Sequence, residues 1–133
     1  MIRLLLTVIL VLAPLGATLS ARSPGDVSEV RNGLLAVAVG NLIQENCATI
    51  SPRLIRVYSL RNQLLAAARS EGFTDAEIDA YVDDKAARAR LEVEAAAYLR
   101  QNGVVDGAND TYCTVGRAEI AANSAVGRLL RER

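Results

Sequence analysis

Sixty-five residues lie between the only two cysteines of this 133-residue chain, Cys47 and Cys113, and what becomes of those two sulfurs constrains the fold more than any other feature. The spacing is neither a C-x-x-C redox motif nor half of a zinc site with usual ligand intervals. The chain has no histidine, which excludes Ser-His-Asp and Cys-His catalysis, histidine-ligated zinc and Glu-x-x-His di-iron centres. In an oxidising compartment, two such cysteines are most simply one disulfide, the alternative being two free thiols with a redox or metal role. A bridge Cys47–Cys113 closing a loop this long stabilises by about 4 kcal/mol in the chain-entropy description, and it requires Cα atoms about 4.4–6.8 Å apart.

The compartment is read from the first residues. Met1-Ile2-Arg3 precedes an apolar run from Leu4 to Leu12, broken only by Thr7, and then Pro14 and a tail of small residues ending Ser20-Ala21. A cationic start, a short apolar stretch and small residues form a secretory signal peptide over 1–21, cut after Ser20 or Ala21. The run falls short of the roughly 20 apolar residues that span a bilayer, so the expectation is a periplasmic or secreted protein with no stable membrane insertion once the leader is removed. An uncleaved inner-membrane anchor is the alternative. The leader carries Arg3 and no acid, so residues 22–133 hold fourteen bases against fifteen acids. A near-neutral chain of this kind lacks the basic surplus that nucleic-acid binding needs.

Residues 22–133 read as a single all-α domain, a bundle of about four helices over 26–46, 52–71, 75–102 and 111–130. Alanine is abundant and no strand-length alternation of β-branched and polar residues occurs. In the first helix, capped by Asp26 or Ser28, Val27, Val30, Leu34 and Val37 recur at 3–4 spacing and Leu35, Val39, Leu42 and Ile43 widen the stripe. Gly33 and Gly40 each weaken it by about 1 kcal/mol relative to Ala. Ser51-Pro52 is expected to open the second helix, with Leu54, Val57, Tyr58, Leu64, Leu65 and Ala68 inward and Gly72 as its terminator. The third has the clearest start: Thr74-Asp75-Ala76-Glu77 is a capping box, with Phe73 and Ile78 placed for a hydrophobic staple. It is expected to run to Asn102 as the spine, with charge pairs Asp84–Arg88, Arg88–Glu92 and Arg90–Glu94. After a loop over 103–110, the last helix is small-sided, with Gly116, Ala118, Ala121, Ala122, Ser124, Ala125 and Gly127.

Several residues could carry chemistry. The third helix gathers Asp75, Glu77, Asp79, Asp83, Asp84, Glu92 and Glu94, which reads either as a solvated, dipole-compatible face or as an acid–base or metal site. Lys85 is the only lysine and, between acids, reads as a surface side chain. Asp106 to Asp110 offers oxygen ligands without EF-hand spacing, and Asn109-Asp110-Thr111 fits a glycosylation acceptor where a eukaryotic route applies. Tyr58, Tyr81, Tyr98 and Tyr112 are spread one per segment, as packing residues are. Arg128, Arg131, Glu132 and Arg133 suit a frayed helix end, the alternative being contact with an anionic surface.

Asn46-Cys47, Gly72-Phe73 before Ala76-Glu77-Ile78, Tyr81-Val82, Asp84-Lys85, Tyr98-Leu99, Gly103-Val104, Tyr112-Cys113, Gly116 and Glu119-Ile120 occur in this order. Together they resemble a family of small exported alphaproteobacterial proteins known as domain of unknown function 5333, over about 26–131. The resemblance implies a periplasmic location and no activity or site residues. The expected function is therefore that of a non-enzymatic exported helical protein acting through contacts with an unidentified protein partner, a stress chaperone being one version. It needs no cofactor, no metal and no catalytic residue. The alternative is a histidine-free enzyme or metal binder built on the acids of the third helix.

Overall fold

The computed structural model describes residues 21–133; the expected leader, Ala21 apart, lies outside the described residues. A 3-10 turn at Pro24–Asp26 leads into α1 (Ser28–Asn46). A short strand β1 (Ile50–Pro52) precedes α2 (Leu54–Ser70), α3 (Asp75–Asp83), α4 (Lys85–Gln101) and α5 (Asn109–Ala121). A second 3-10 turn, Gly127–Leu129, delivers the chain into β2 (Leu130–Glu132). The described residues are mostly helical as expected, with five helices among them rather than four and a small sheet that the residue pattern does not announce.

Each departure has a local cause. The expected helix over 75–102 breaks at Asp84, whose extended backbone (φ −68°, ψ 108°) lets its own carboxylate accept the N–H groups of Ala86 at 2.8 Å and Ala87 at 3.2 Å. Asp is among the best N-caps, and here it starts α4 instead of continuing α3. The expected helix over 111–130 ends at Ala121, because Asn123 adopts a left-handed backbone (φ 49°), a conformation Asn tolerates better than most residues. Ser51-Pro52 does not open a helix. Ile50, Ser51 and Pro52 pair antiparallel with Glu132, Arg131 and Leu130, and Arg53 N–H donates to the Leu129 carbonyl at 2.7 Å. Of the C-terminal arginines, Arg131 therefore lies in a strand, Arg128 in the 3-10 turn before it and Arg133 just after it, none of them in a frayed helix. Neither Asp26 nor Ser28 caps α1: Val27 holds the N-cap position, and Asp26 instead accepts the Ser23 N–H at 2.7 Å.

Other expectations hold. The Thr74–Glu77 box forms in both directions, Phe73 and Ile78 are buried together, and Gly72 and Gly103 follow α2 and α4 at φ +91° and +103°. The centre of the bundle, however, is α1 and not the third helix; α4, α2, α5 and β1 all pack on it. Val39, Ile43, Cys47, Ile50, Ala95, Leu99, Val115, Leu129 and Leu130 form the main core, and Val30, Ala68, Phe73 and Ile78 form a smaller one beneath the α2–α3 turn. Close approach depends on glycine. A Cβ on Gly33 would stand 2.5 Å from a Leu64 methyl, and one on Gly116 would stand 2.5 Å from Ile50 and 2.7 Å from Ile43. Of the small residues of α5, Gly116 thus meets this chain's own core, whereas Ala118 and Ala121 are exposed.

Cys47 and Cys113 sit at disulfide distance, with Cα atoms 5.1 Å apart, inside the expected window. The link joins the end of α1 to the first turns of α5, beside the sheet that ties the C-terminal segment to the same region. No helix among the described residues is long and apolar enough to cross a membrane.

Candidate functional site

The acids of α3 and α4 do not converge. Asp75 pairs with Arg69 at 2.8 Å, Glu94 with Arg31 of α1 at 3.0 Å, and Asp84 is spent on the α4 cap. Glu77 accepts the Thr74 N–H and hydroxyl, both at 2.8 Å, and these bonds lower its pKa from the usual carboxylate value, the backbone N–H most strongly. Glu94 and Asp75 in turn raise the already high pKa values of Arg31 and Arg69, chiefly through the hydrogen bond in each pair. None of the three i, i+4 charge pairs expected along the third helix forms an ion pair: Arg88 donates to the Val82 carbonyl, and Glu94 is engaged by α1. Asp106 is held by Arg100 at 3.1 Å, and Lys85 is exposed. No group of three or more carboxylates and cysteines is placed to hold a metal ion among the described residues.

Among the described residues a polar cluster gathers around a buried carboxylate, and its members come from separate segments. Glu119 on α5 is 7% exposed; its Oε1 accepts the Tyr98 hydroxyl of α4 at 2.5 Å and its Oε2 accepts the Ser124 hydroxyl. Ser124 Oγ then accepts the Gly127 N–H at 2.9 Å. Gly127 has to be glycine here, since a Cβ would collide with the Glu119 carbonyl oxygen. The bond to Glu119, aided by burial, pushes the Tyr98 phenol up to about 12. The bonds among Tyr98, Glu119, Ser124 and Gly127 join α4, α5 and the C-terminal turn. In sequence Tyr98 and Glu119 stand twenty-one residues apart, one as a packing residue and the other within the family pattern, and nothing in residue order joins them.

The second distinctive surface is on α2. Of its seventeen residues only Leu64 and Ala68 are buried. Leu54, Ile55 and Tyr58, two of them expected inward, point to solvent at 67%, 86% and 68% exposure. Arg53, Arg56, Arg131 and Arg133 surround the start of this face, lining with Ser51 and Leu54 a shallow cleft of about 690 Å³. None of these arginines, nor Arg61, forms an ion pair with another described residue. No acid occurs between Glu45 and Glu71, which is the signal in the sequence that could have marked this face.

Residues 23–131 match the sequence model of a family of unknown function (DUF5333). Comparison with curated proteins gives no match, nor does comparison with solved structures.

Proposed function

The chain belongs to the DUF5333 family, whose function is unknown, and from this footing we propose that it is an exported, non-enzymatic helical module that works through protein contacts made by the outer face of α2. The observation that carries the reading is the trio Leu54, Ile55 and Tyr58, exposed together on a helix with two buried residues and ringed by unpaired arginines. Apolar anchors beside Arg and Tyr are the side chains that dominate protein interfaces, and a contiguous exposed apolar group costs solubility unless something uses it. Export is supported by the Cys47–Cys113 pair, which suits an oxidising compartment, and by the leader pattern.

Chemical crosslinking of the natively exported protein tests this. Partner-containing bands are expected for wild type and are expected to fall away in Ile55→Asp; bands unchanged by that substitution would move the contact elsewhere. For the chaperone version, protonation of fifteen acids below pH 3 leaves the chain strongly positive, and suppression of light scattering from an aggregating client at equimolar protein is the expected result. No suppression removes that version alone.

A further inference from the structure

We propose that the protein partner of the α2 face is a second copy of this chain, docked antiparallel along α2. The inference rests on the contact reading above and names its partner. The charge along this part of the chain is sorted by sign. From Arg53 to Arg69 there are four arginines and no acid; from Glu71 to Asp84 there are six acids and no base. Arg53 and Arg56 are unpaired at one end and Arg61 at mid-helix, and Asp79 and Asp83 are exposed without an ion pair beyond the other end. Within one molecule these ends are held apart by the length of α2, about 25 Å for seventeen residues, so they cannot satisfy each other.

Two copies can. An antiparallel, two-fold arrangement brings the arginine end of each α2 beside the acidic segment following the other α2, twice over, and closes on itself; a parallel arrangement sets like charge on like. Side-chain size is graded the same way. Leu54, Tyr58, Asn62 and Ala66, four apart, are all exposed, large at the arginine end and small at the other. Antiparallel helices therefore set the large residues of one copy against the small residue of its partner, as close packing requires. Near-zero net charge adds no general repulsion against self-association.

Sedimentation of the purified, disulfide-bonded exported protein reads the result directly. The expected outcome is a reversible dimer that weakens with added salt and is weakened about tenfold or more by Ile55→Asp or Arg56→Glu, with helical content unchanged. Adding Asp79→Arg to Arg56→Glu is expected to recover association, because it restores opposite charge across the pair; Asp79→Arg alone should weaken it. A monomer at about 1 mM overturns the proposal. So does a monomer that binds phosphatidylglycerol vesicles, but not phosphatidylcholine vesicles, in an Ile55-dependent way, which would give the face to a lipid surface. A monomer that still shows Ile55-dependent crosslinks to another protein overturns the dimer while leaving the contact reading in place; one with neither overturns both.

Discussion

α1 and α2 are close in length, nineteen and seventeen residues, and both carry enough Leu, Ile and Val to be written as buried helices. Yet α1 buries Val30, Ala36, Val39, Gly40 and Ile43, while α2 buries Leu64 and Ala68 alone. The difference is one of enclosure. α1 is small and apolar on several sides, so other elements can close around it: Leu64 seats over Gly33 so closely that a Cβ there would stand 2.5 Å from its methyl, whereas a Cβ on Gly40 would meet Leu130 only at ordinary contact, 3.6 Å. Gly33, which weakens α1 as an isolated helix, is thus the point where α2 comes closest to it. α2 meets the rest of the fold along a narrow line and shows Leu54, Ile55 and Tyr58 to solvent. An apolar row tells which residues seek burial; it does not tell whether the partner lies in the same chain.

The largest test of this contrast is removal of the Cys47–Cys113 link, which braces the α1–α5 side. Reduction, or Cys113→Ser, is expected to lower stability by about 4 kcal/mol in urea unfolding, with a transition that stays cooperative. Next, Ile43→Ala in α1 should cost about 3 kcal/mol, Ile43 being fully buried, whereas Ile55→Ala in α2 should change stability by less than about 0.5 kcal/mol. Equal costs at the two positions would break the comparison.

Tyr98→Phe is expected to cost about 2 kcal/mol by leaving Glu119 short of a donor. It carries a pH signature. The folded phenol titrates near 12, above its ordinary value near 10, so its contribution is complete below about 10 and is lost as pH rises towards 12. Wild type and variant should therefore converge in alkaline unfolding experiments.

Thr74→Ala should cost about 1 kcal/mol through the α3 cap. Because Glu77 is lowered by the same box, its share is present above the usual carboxylate range and disappears as pH falls through the lowered value. Stability of Glu77→Gln should accordingly approach that of wild type in acid. The smallest expected effect is Ile55→Asp on folding, within about 0.5 kcal/mol, which makes it a clean reporter of contact.

Much of the secondary structure is legible in residue order, because caps and terminators act over four or five residues. Thr74 to Glu77, Gly72 and Gly103 show this, and the cysteine pair is legible once export is assumed. Asp84 is the instructive failure. Its carboxylate suits both a charge pair with Arg88 and an N-cap for α4, and the cap prevails because the carboxylate accepts two backbone N–H groups at once. β1 and β2, three residues each, are too short for alternation to register, and they form because the C-terminal segment is carried back beside the residues after Cys47.

The residues in order determine the helical class, the strongest helix boundaries, the candidate disulfide and the sorting of arginines from acids along 53–84. Those depend on neighbours in the chain or on a covalent bond between the only two sulfurs. Tertiary structure alone decides that α1 is the centre, that Tyr98 meets Glu119, and that Leu54, Ile55 and Tyr58 face outward. Burial and long-range hydrogen bonds are properties of what surrounds a side chain, and nothing within one helical turn specifies that.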